Sequence, residues 1–264
     1  MIRLAVRVRP QDAEVALAEL LELAPGGVEE RDLGDRIELA VYGAPGELPA
    51  LPDVEAVVGD ALVEVVTEEV PDDWHERWRE FHRPIELDGL RVRAPWHEAR
   101  DGDVVIDPGQ AFGTGRHETT QLCLELLLGL PPGGALVDAG CGSGVLAIAA
   151  ARLGWSPVRA FDFDPEAVRA TGENAGVNGV HVDVRRHDLL RDGPCPSAPV
   201  VLANLLRPLL LRVAADGFAG EPPRALVLSG LLRHEADEVG AAFAPLREAR
   251  RLERGDWVAL LLVA

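Results

Sequence analysis

Val137-Asp138-Ala139-Gly140-Cys141-Gly142-Ser143-Gly144-Val145-Leu146 is the stretch from which the architecture can be read. Ahead of it, Ala135 to Val137 is an apolar run of the kind that forms a short buried strand. Behind it, Val145 to Leu153 predicts a helix too apolar to face water on most sides. Strand, glycine turn and helix in that order are the grammar of nucleotide-binding α/β proteins. Glycine lets the backbone turn sharply and approach a ligand closely, and the helix N-terminus presents N–H groups.

Downstream, strand and helix alternate. The pattern predicts strands over 158–162, 180–185, 200–204 and 225–229, with helices over 165–176, 207–218 and 233–243. Asp164-Pro165-Glu166 reads as a cap followed by proline at the first helical position. Near-continuous apolar strands predict a parallel sheet covered on both faces. Arg247 to Leu252 and Trp257 to Val263, around Arg254-Gly255-Asp256, predict a closing hairpin and hence an antiparallel last strand.

Upstream the grammar differs. Residues 1–70 read as a small α+β substrate-recognition domain of roughly βαββ(α)β order. Ile2 to Val8 alternates apolar and charged residues, a hairpin spans 28–42, a weaker helical piece covers 47–58, and Ala61 to Thr67 alternates again. Residues 71–106 read as a linker. A helix over 73–81 carries Trp74, Trp78 and Phe81 on one stripe, and short extended pieces follow at 83–87, 90–94 and 104–106. Residues 107–264 form the cofactor-binding domain, opened by the glycine-rich stretch from Asp107 to Thr120 and a helix over 118–128. The expected fold is α/β: a seven-stranded, doubly wound, Rossmann-like sheet with a small N-terminal α+β domain.

Composition narrows the function. Hydrophobic content of 47% and charged content of 27% are those of a soluble globular protein. The densest apolar run, Leu122 to Leu130, is far shorter than a membrane span, and the N-terminus shows no signal-like segment, so a cytoplasmic location is expected. A net charge of −18 argues against direct nucleic-acid binding. Every basic residue is arginine. Residues 1–80 hold 20 acids against seven arginines, a balance that steers a basic protein partner or serves solubility. Cys123, Cys141 and Cys195 have neither disulfide nor metal spacing, and the seven histidines form no metal-site pattern, so no metal is expected.

In doubly wound sheets the ligand sits outside the carboxyl ends of the strands. Those ends carry Asp138 with the turn glycines Gly140, Gly142 and Gly144, then Asp162, Asp188 and Asn204. Asp162, 22 residues after Gly140, is placed to accept both hydroxyls of a ribose. Asp188 is placed to accept from an adenine amino group, and Asn204 offers both a donor and an acceptor. A nicotinamide dinucleotide and S-adenosyl-L-methionine both fit this set. Asp138 two residues before the first glycine would crowd a pyrophosphate; it suits the cationic amino group of a methionine moiety.

At these positions the sequence resembles a known family. Asp138-Ala139-Gly140-Cys141-Gly142-Ser143-Gly144 is similar to motif I of the class I methyltransferases. Gly113-Thr114-Gly115-Arg116-His117-Glu118-Thr119-Thr120 resembles the segment before motif I in ribosomal protein L11 methyltransferases. Phe161 to Pro165, Ala203 to Leu206, Ser229 to Leu232 and the Trp74–Trp78–Phe81 helix resemble further motifs of that family. The resemblance covers about residues 70–264. It implies methyl transfer from S-adenosylmethionine to lysine or N-terminal amines of a ribosomal protein. It also implies cofactor contacts from Thr120, Gly140, Asp162 and Asn204, with Phe112, Thr114 and His117 in a loop over the cofactor. Arg116 departs from the histidine often found there. Asn204 would orient the amine or the cofactor, and His117 is a candidate proton acceptor. The alternatives are a NAD-dependent oxidoreductase of the same fold and a non-catalytic cofactor-binding adaptor.

Overall fold

The computed structural model describes residues 2–13, 16, 17, 20, 28–43, 48, 62–69, 83–107 and 117–264. The helix expected over 73–81 and the residues Phe112 and Thr114 lie outside these, as does nearly all of 47–58. The chain divides into two units, Met1–Phe81 and His82–Ala264.

In the first unit, β1 (Ile2–Val8), β2 (Glu29–Asp32), β3 (Ile37–Gly43) and β4 (Leu62–Glu69) form one antiparallel sheet in the order β2-β3-β1-β4. The alternation in β1 explains its place at the centre. Leu4, Val6 and Val8 face a core completed by Leu39, Val41, Ala16 and Leu20. On the opposite face Arg3 and Arg7 both bind Glu38, and Arg7 Nη1 reaches Glu64 at 2.8 Å. Strand pairs of opposite charge add modestly to an antiparallel sheet.

The second unit begins with a three-stranded sheet of β5 (Ile85–Leu87), β6 (Leu90–Arg93) and β7 (Val104–Val105). Leu90, Val92, Val104 and Ile106 share a core with the large sheet. The remaining elements are α1 (Glu118–Leu128), β8 (Leu136–Ala139), α2 (Val145–Arg152), β9 (Val158–Asp162), α3 (Pro165–Val177), β10 (Asp183–Arg186), β11 (Cys195–Pro196), β12 (Val200–Asn204), α4 (Arg207–Asp216), β13 (Phe218–Ala219), β14 (Ala225–Leu232), α5 (Ala236–Ala242), β15 (Arg247–Arg254) and β16 (Trp257–Val263).

Seven strands make the large sheet, in the order β10-β9-β8-β12-β14-β16-β15. The first five run parallel, and β16 is antiparallel to both neighbours. The direction reverses beside β8, where β9 and β12 flank the first strand, so the glycine turn opens at the switch point. The period of two sorts the strands into two cores. Leu136, Leu202 and Val227 face α1 and α2, whereas Val137, Val201, Leu226 and Leu260 face α4 and α5. Full burial of each such side chain is worth about 1.5–3 kcal/mol.

Several boundaries differ from the sequence expectation. The helix expected over 207–218 ends at Asp216, where the Gly217 N–H closes on the Val213 carbonyl, and Phe218 opens β13 instead. The strand expected from 180 begins at Asp183, because the Val180 N–H closes the end of α3 on the Ala175 carbonyl at 3.1 Å. The strand expected to stop at Ser229 runs to Leu232 through an irregularity at Ser229-Gly230, and pairing resumes between Leu231 and Val258. The helix expected from 233 starts at Ala236, because Glu235 Oε2 turns back to accept the Leu232 N–H at 2.9 Å. No helix among the described residues is long and apolar enough to cross a membrane.

Candidate functional site

The glycine turn between β8 and α2 is held largely by the end of β9. Gly140, Gly142 and Gly144 have φ of +73°, +52° and +83°. The N–H groups of Gly140 and Cys141 both donate to the Phe161 carbonyl, at 2.9 and 3.0 Å. The Gly142 N–H donates to Asp162 Oδ2 at 3.0 Å, and the Gly144 N–H to the Cys141 carbonyl at 2.8 Å. The glycines also answer to packing. A Cβ on Gly140 would stand 2.3 Å from Leu205 Cδ2, and one on Gly144 would stand 2.8 Å from Thr171 Cγ2.

Asp138 lies beneath this turn. It is 0% exposed, and its Oδ2 accepts the Ala147 N–H of α2 at 3.0 Å. Its Oδ1 is buried without a hydrogen-bond partner. Burial pushes its carboxyl up to about 7; the Ala147 N–H opposes that shift and nearby Asp162 adds to it. The residue therefore braces strand against helix. Cys141, in the turn, is equally enclosed: burial pushes its thiol well above the usual range, which leaves it a poor nucleophile.

Asp162 ends β9 and serves two backbones. Besides Gly142, it accepts the Asp164 N–H on Oδ1 at 3.1 Å. Two oxygens have about four lone-pair sites, so capacity for ribose hydroxyls is left. Asp188, after β10, accepts the Leu190 N–H at 2.9 Å and lies 3.6 Å from Arg191 Nε.

A second cluster forms at the ends of β12 and β14. Asn204 Nδ2 donates to Thr120 Oγ1 at 3.2 Å, joining residues 84 apart in sequence. Ser229 Oγ, fully buried, donates to the Thr119 carbonyl at 3.0 Å. Gly230, φ +82°, admits the Leu205 backbone: a Cβ there would stand 2.4 Å from the Leu205 carbonyl oxygen and 3.3 Å from Asn204 Oδ1. His117 caps α1; its Nδ1 lies 2.8 Å from Thr119 Oγ1, and its ring meets Trp257 edge-on at 4.9 Å.

The structure thus brings Asp162 to the glycine turn and Thr120 to Asn204. Sequence reasoning did not single out Thr171, Asn174 or Gly230. The signals were present: a glycine inside an apolar strand marks a bulge or close approach, and two asparagines four apart share one helix face. Three exposed apolar side chains also mark this edge. Phe163 and Leu190 are 62% exposed and Leu206 is 68% exposed, just after β9, β10 and β12. Leu206 occupies the N-cap of α4, with no side-chain cap bond. Fold stability does not explain that choice, since polar residues serve that position better.

These contacts bear on the ligand. A dinucleotide needs open N–H groups for its diphosphate, and four in this turn are already engaged within the chain. The Asp162 carboxylate stands there as well, whereas Asp138 is sealed beneath the turn. The donor set fits a ribose-bearing cationic ligand such as S-adenosylmethionine and opposes a diphosphate.

Comparison with known proteins agrees. The sequence profile described as "Ribosomal protein L11 methyltransferase (PrmA)" matches residues 51–264. A ribosomal protein L11 methyltransferase of Bordetella bronchiseptica is 37% identical, the match covering 98% of each chain. One of Burkholderia ambifaria is 35% identical over 91% of this chain and 83% of its own. The crystal structure of a ribosomal protein L11 methylase from Lactobacillus delbrueckii subsp. bulgaricus superposes with a TM-score of 0.59 at 29% identity, covering 68% of this chain and 97% of that one. The chain belongs to the ribosomal protein L11 methyltransferase family.

Proposed function

We propose that this protein transfers methyl groups from S-adenosylmethionine to amino groups of ribosomal protein L11, on lysine side chains or the N-terminal amine, in the cytoplasm. The observation that carries the cofactor reading is the glycine turn with its N–H groups spent internally and Asp162 at its rim. Family membership carries the reaction and the protein target.

When bound, S-adenosylmethionine supplies a methyl group on a sulfonium, already activated for in-line displacement. The chain's part is to bind and align. Asp162 accepts the ribose hydroxyls while its backbone bonds hold the carboxylate in place. Gly140 keeps the turn open beside Leu205, and Asp138 acts from beneath by fixing α2 to β8. Thr120 holds the Asn204 amide so that Oδ1 is left to accept from the attacking amine. An amine must be neutral to attack; an apolar rim lowers its pKa, and exposed Leu206 beside Asn204 provides part of that rim. The cofactor would supply the methyl group for the new N–C bond and keep the S–C electron pair on sulfur, while the amine would give up one proton. No dedicated base is required, and His117 remains a candidate proton acceptor. Phe112 and Thr114 are proposed as further cofactor contacts and Asp188 as the adenine contact. The acidic residues 1–80 would draw the basic substrate.

Incubation with methyl-labelled S-adenosylmethionine and ribosomal subunits from cells lacking this activity, followed by mass spectrometry, tests the reading. Label on L11 amines is expected; absence of label, or binding of a nicotinamide dinucleotide in its place, overturns it. Because the chain has no lysine, only its own N-terminus offers a competing amine.

A further inference from the structure

α3 and its C-cap carry two asparagines four residues apart, Asn174 and Asn178, which are 3% and 8% exposed. Four helical residues rise about 6 Å, close to the roughly 6.7 Å spanned by two residues of extended chain. The side-chain amides use that match. Asn178 Oδ1 accepts the Val105 N–H at 2.8 Å and its Nδ2 donates to the Val105 carbonyl at 2.6 Å. Two residues on, Asn174 Oδ1 accepts the Asp107 N–H at 3.0 Å. The pair lines the 105–107 backbone much as a neighbouring strand would.

The two asparagines then diverge. Asn178 Nδ2 turns to the Asn174 carbonyl in its own helix, at 2.8 Å. Asn174 Nδ2 crosses to the glycine turn and donates to the Ser143 carbonyl at 2.9 Å. One turn earlier in α3, Thr171 Oγ1 lies 3.1 Å from the Gly142 carbonyl. Consecutive carbonyls of the turn are thus held from α3. A planar trans peptide that has its carbonyl fixed also has the next N–H fixed. We propose that Asn174 is a positioning residue for the cofactor: its one amide ties the glycine turn to the 105–107 backbone and sets the turn's peptide planes before any ligand arrives. This rests on the cofactor reading above. Asn178 is the internal control, because it holds the same backbone without touching the turn.

The pair Asn174→Asp and Asn178→Asp tests this. Each replaces a donating NH₂ with an oxygen at nearly constant shape, and each leaves an acceptor for the 105–107 N–H groups. Binding of S-adenosylhomocysteine, the demethylated product, is measured by calorimetry alongside thermal melts and hydrogen exchange of a peptide spanning 140–147. For Asn174→Asp, affinity is expected to fall at least tenfold and the 140–147 amides to exchange faster in the free protein. For Asn178→Asp, at a comparable loss of melting temperature, affinity stays within twofold. Equal affinity losses in the two variants, or wild-type affinity in Asn174→Asp, overturn the assignment. Should Asn174→Asp not fold, Asn174→Ala, which removes the donor to Ser143 without adding a charge, is measured against Asn178→Ala with the same criteria. Failure of the wild-type protein to bind S-adenosylhomocysteine would count against the cofactor reading, whereas wild-type binding with an indifferent Asn174 variant counts only against this inference.

Discussion

The two halves of the strand-end edge are built in opposite ways. Around β8 and β9 the backbone of the turn is held on both sides: its N–H groups go to the Phe161 carbonyl and the Asp162 side chain, its carbonyls to Thr171 and Asn174 of α3, and the acid beneath is sealed. Around β12 and β14 side chains dominate: Asn204 is set by Thr120, Ser229 is anchored to α1, and Leu206 stands in water. A turn held on both sides presents one fixed shape, as the cofactor site proposed for it requires. A side-chain half can be tuned residue by residue, as a protein substrate demands. Each variant below separates these halves or blurs them.

The largest effect is expected at Gly230→Ala. The new Cβ would meet a backbone carbonyl at 2.4 Å in a positive-φ residue, so neither partner can rotate away; a loss of about 3 kcal/mol in unfolding free energy is expected by denaturant titration. Gly140→Ala should cost less, about 1–2 kcal/mol, because its clash is with a leucine methyl that can turn aside. If Gly140→Ala proves the worse of the two, the side-chain half is not the more constrained by packing.

Asp162→Ala strands two backbone N–H groups and removes the acceptor proposed for the ribose hydroxyls. Cofactor affinity should fall roughly a hundredfold, equivalent to about 2.7 kcal/mol, by calorimetry. Unchanged affinity would show that the ribose lies elsewhere.

Asp138 supplies a pH test. Its carboxyl is raised to about 7 in the folded protein, so between the ordinary carboxylate range and pH 7 the folded state keeps a proton that the unfolded state has released. Stability from this group is therefore greatest below that window and is lost as pH rises to about 7. Asp138→Asn removes the titration, so its melting temperature should fall less than the wild type's between pH 5 and 8. Parallel melting curves would contradict the buried acid.

The smallest effects belong to the β12 side of the site. Thr120→Val should lower kcat roughly tenfold, about 1.4 kcal/mol, with cofactor affinity nearly unchanged, because it frees the Asn204 amide to rotate. Leu206→Ser should leave cofactor affinity and stability intact, or stability slightly raised by a better N-cap, while raising KM for the protein substrate about threefold. A cofactor-binding defect in either would erase the distinction between the halves.

The sheet was legible in the sequence because its signals are local. The apolar run at 135–137 and the runs at 158–162 and 200–204 became parallel strands, and the Arg254-Gly255-Asp256 turn became the antiparallel closing hairpin. Asp162 and Asn204 were legible for the same reason: each ends a strand, and strand ends in such a sheet share one edge. Where an element began or stopped was less legible, as at Ala236, because the terminating contact came from a side chain choosing between caps.

What the sequence by itself determined is the order of strands and helices, the turn that needs glycine, and the family to which those motifs belong. Periodicity and backbone sterics act over a few residues, so they can be read along the chain. Only the tertiary structure decided what the polar groups do. That Asp138 props a helix, that Thr120 grips Asn204, and that Asn174 joins Asp107 to Ser143 are facts about partners 9, 84 and 67 or 31 residues away. A buried donor must find an acceptor, but which one it finds depends on how the whole sheet brings distant segments together.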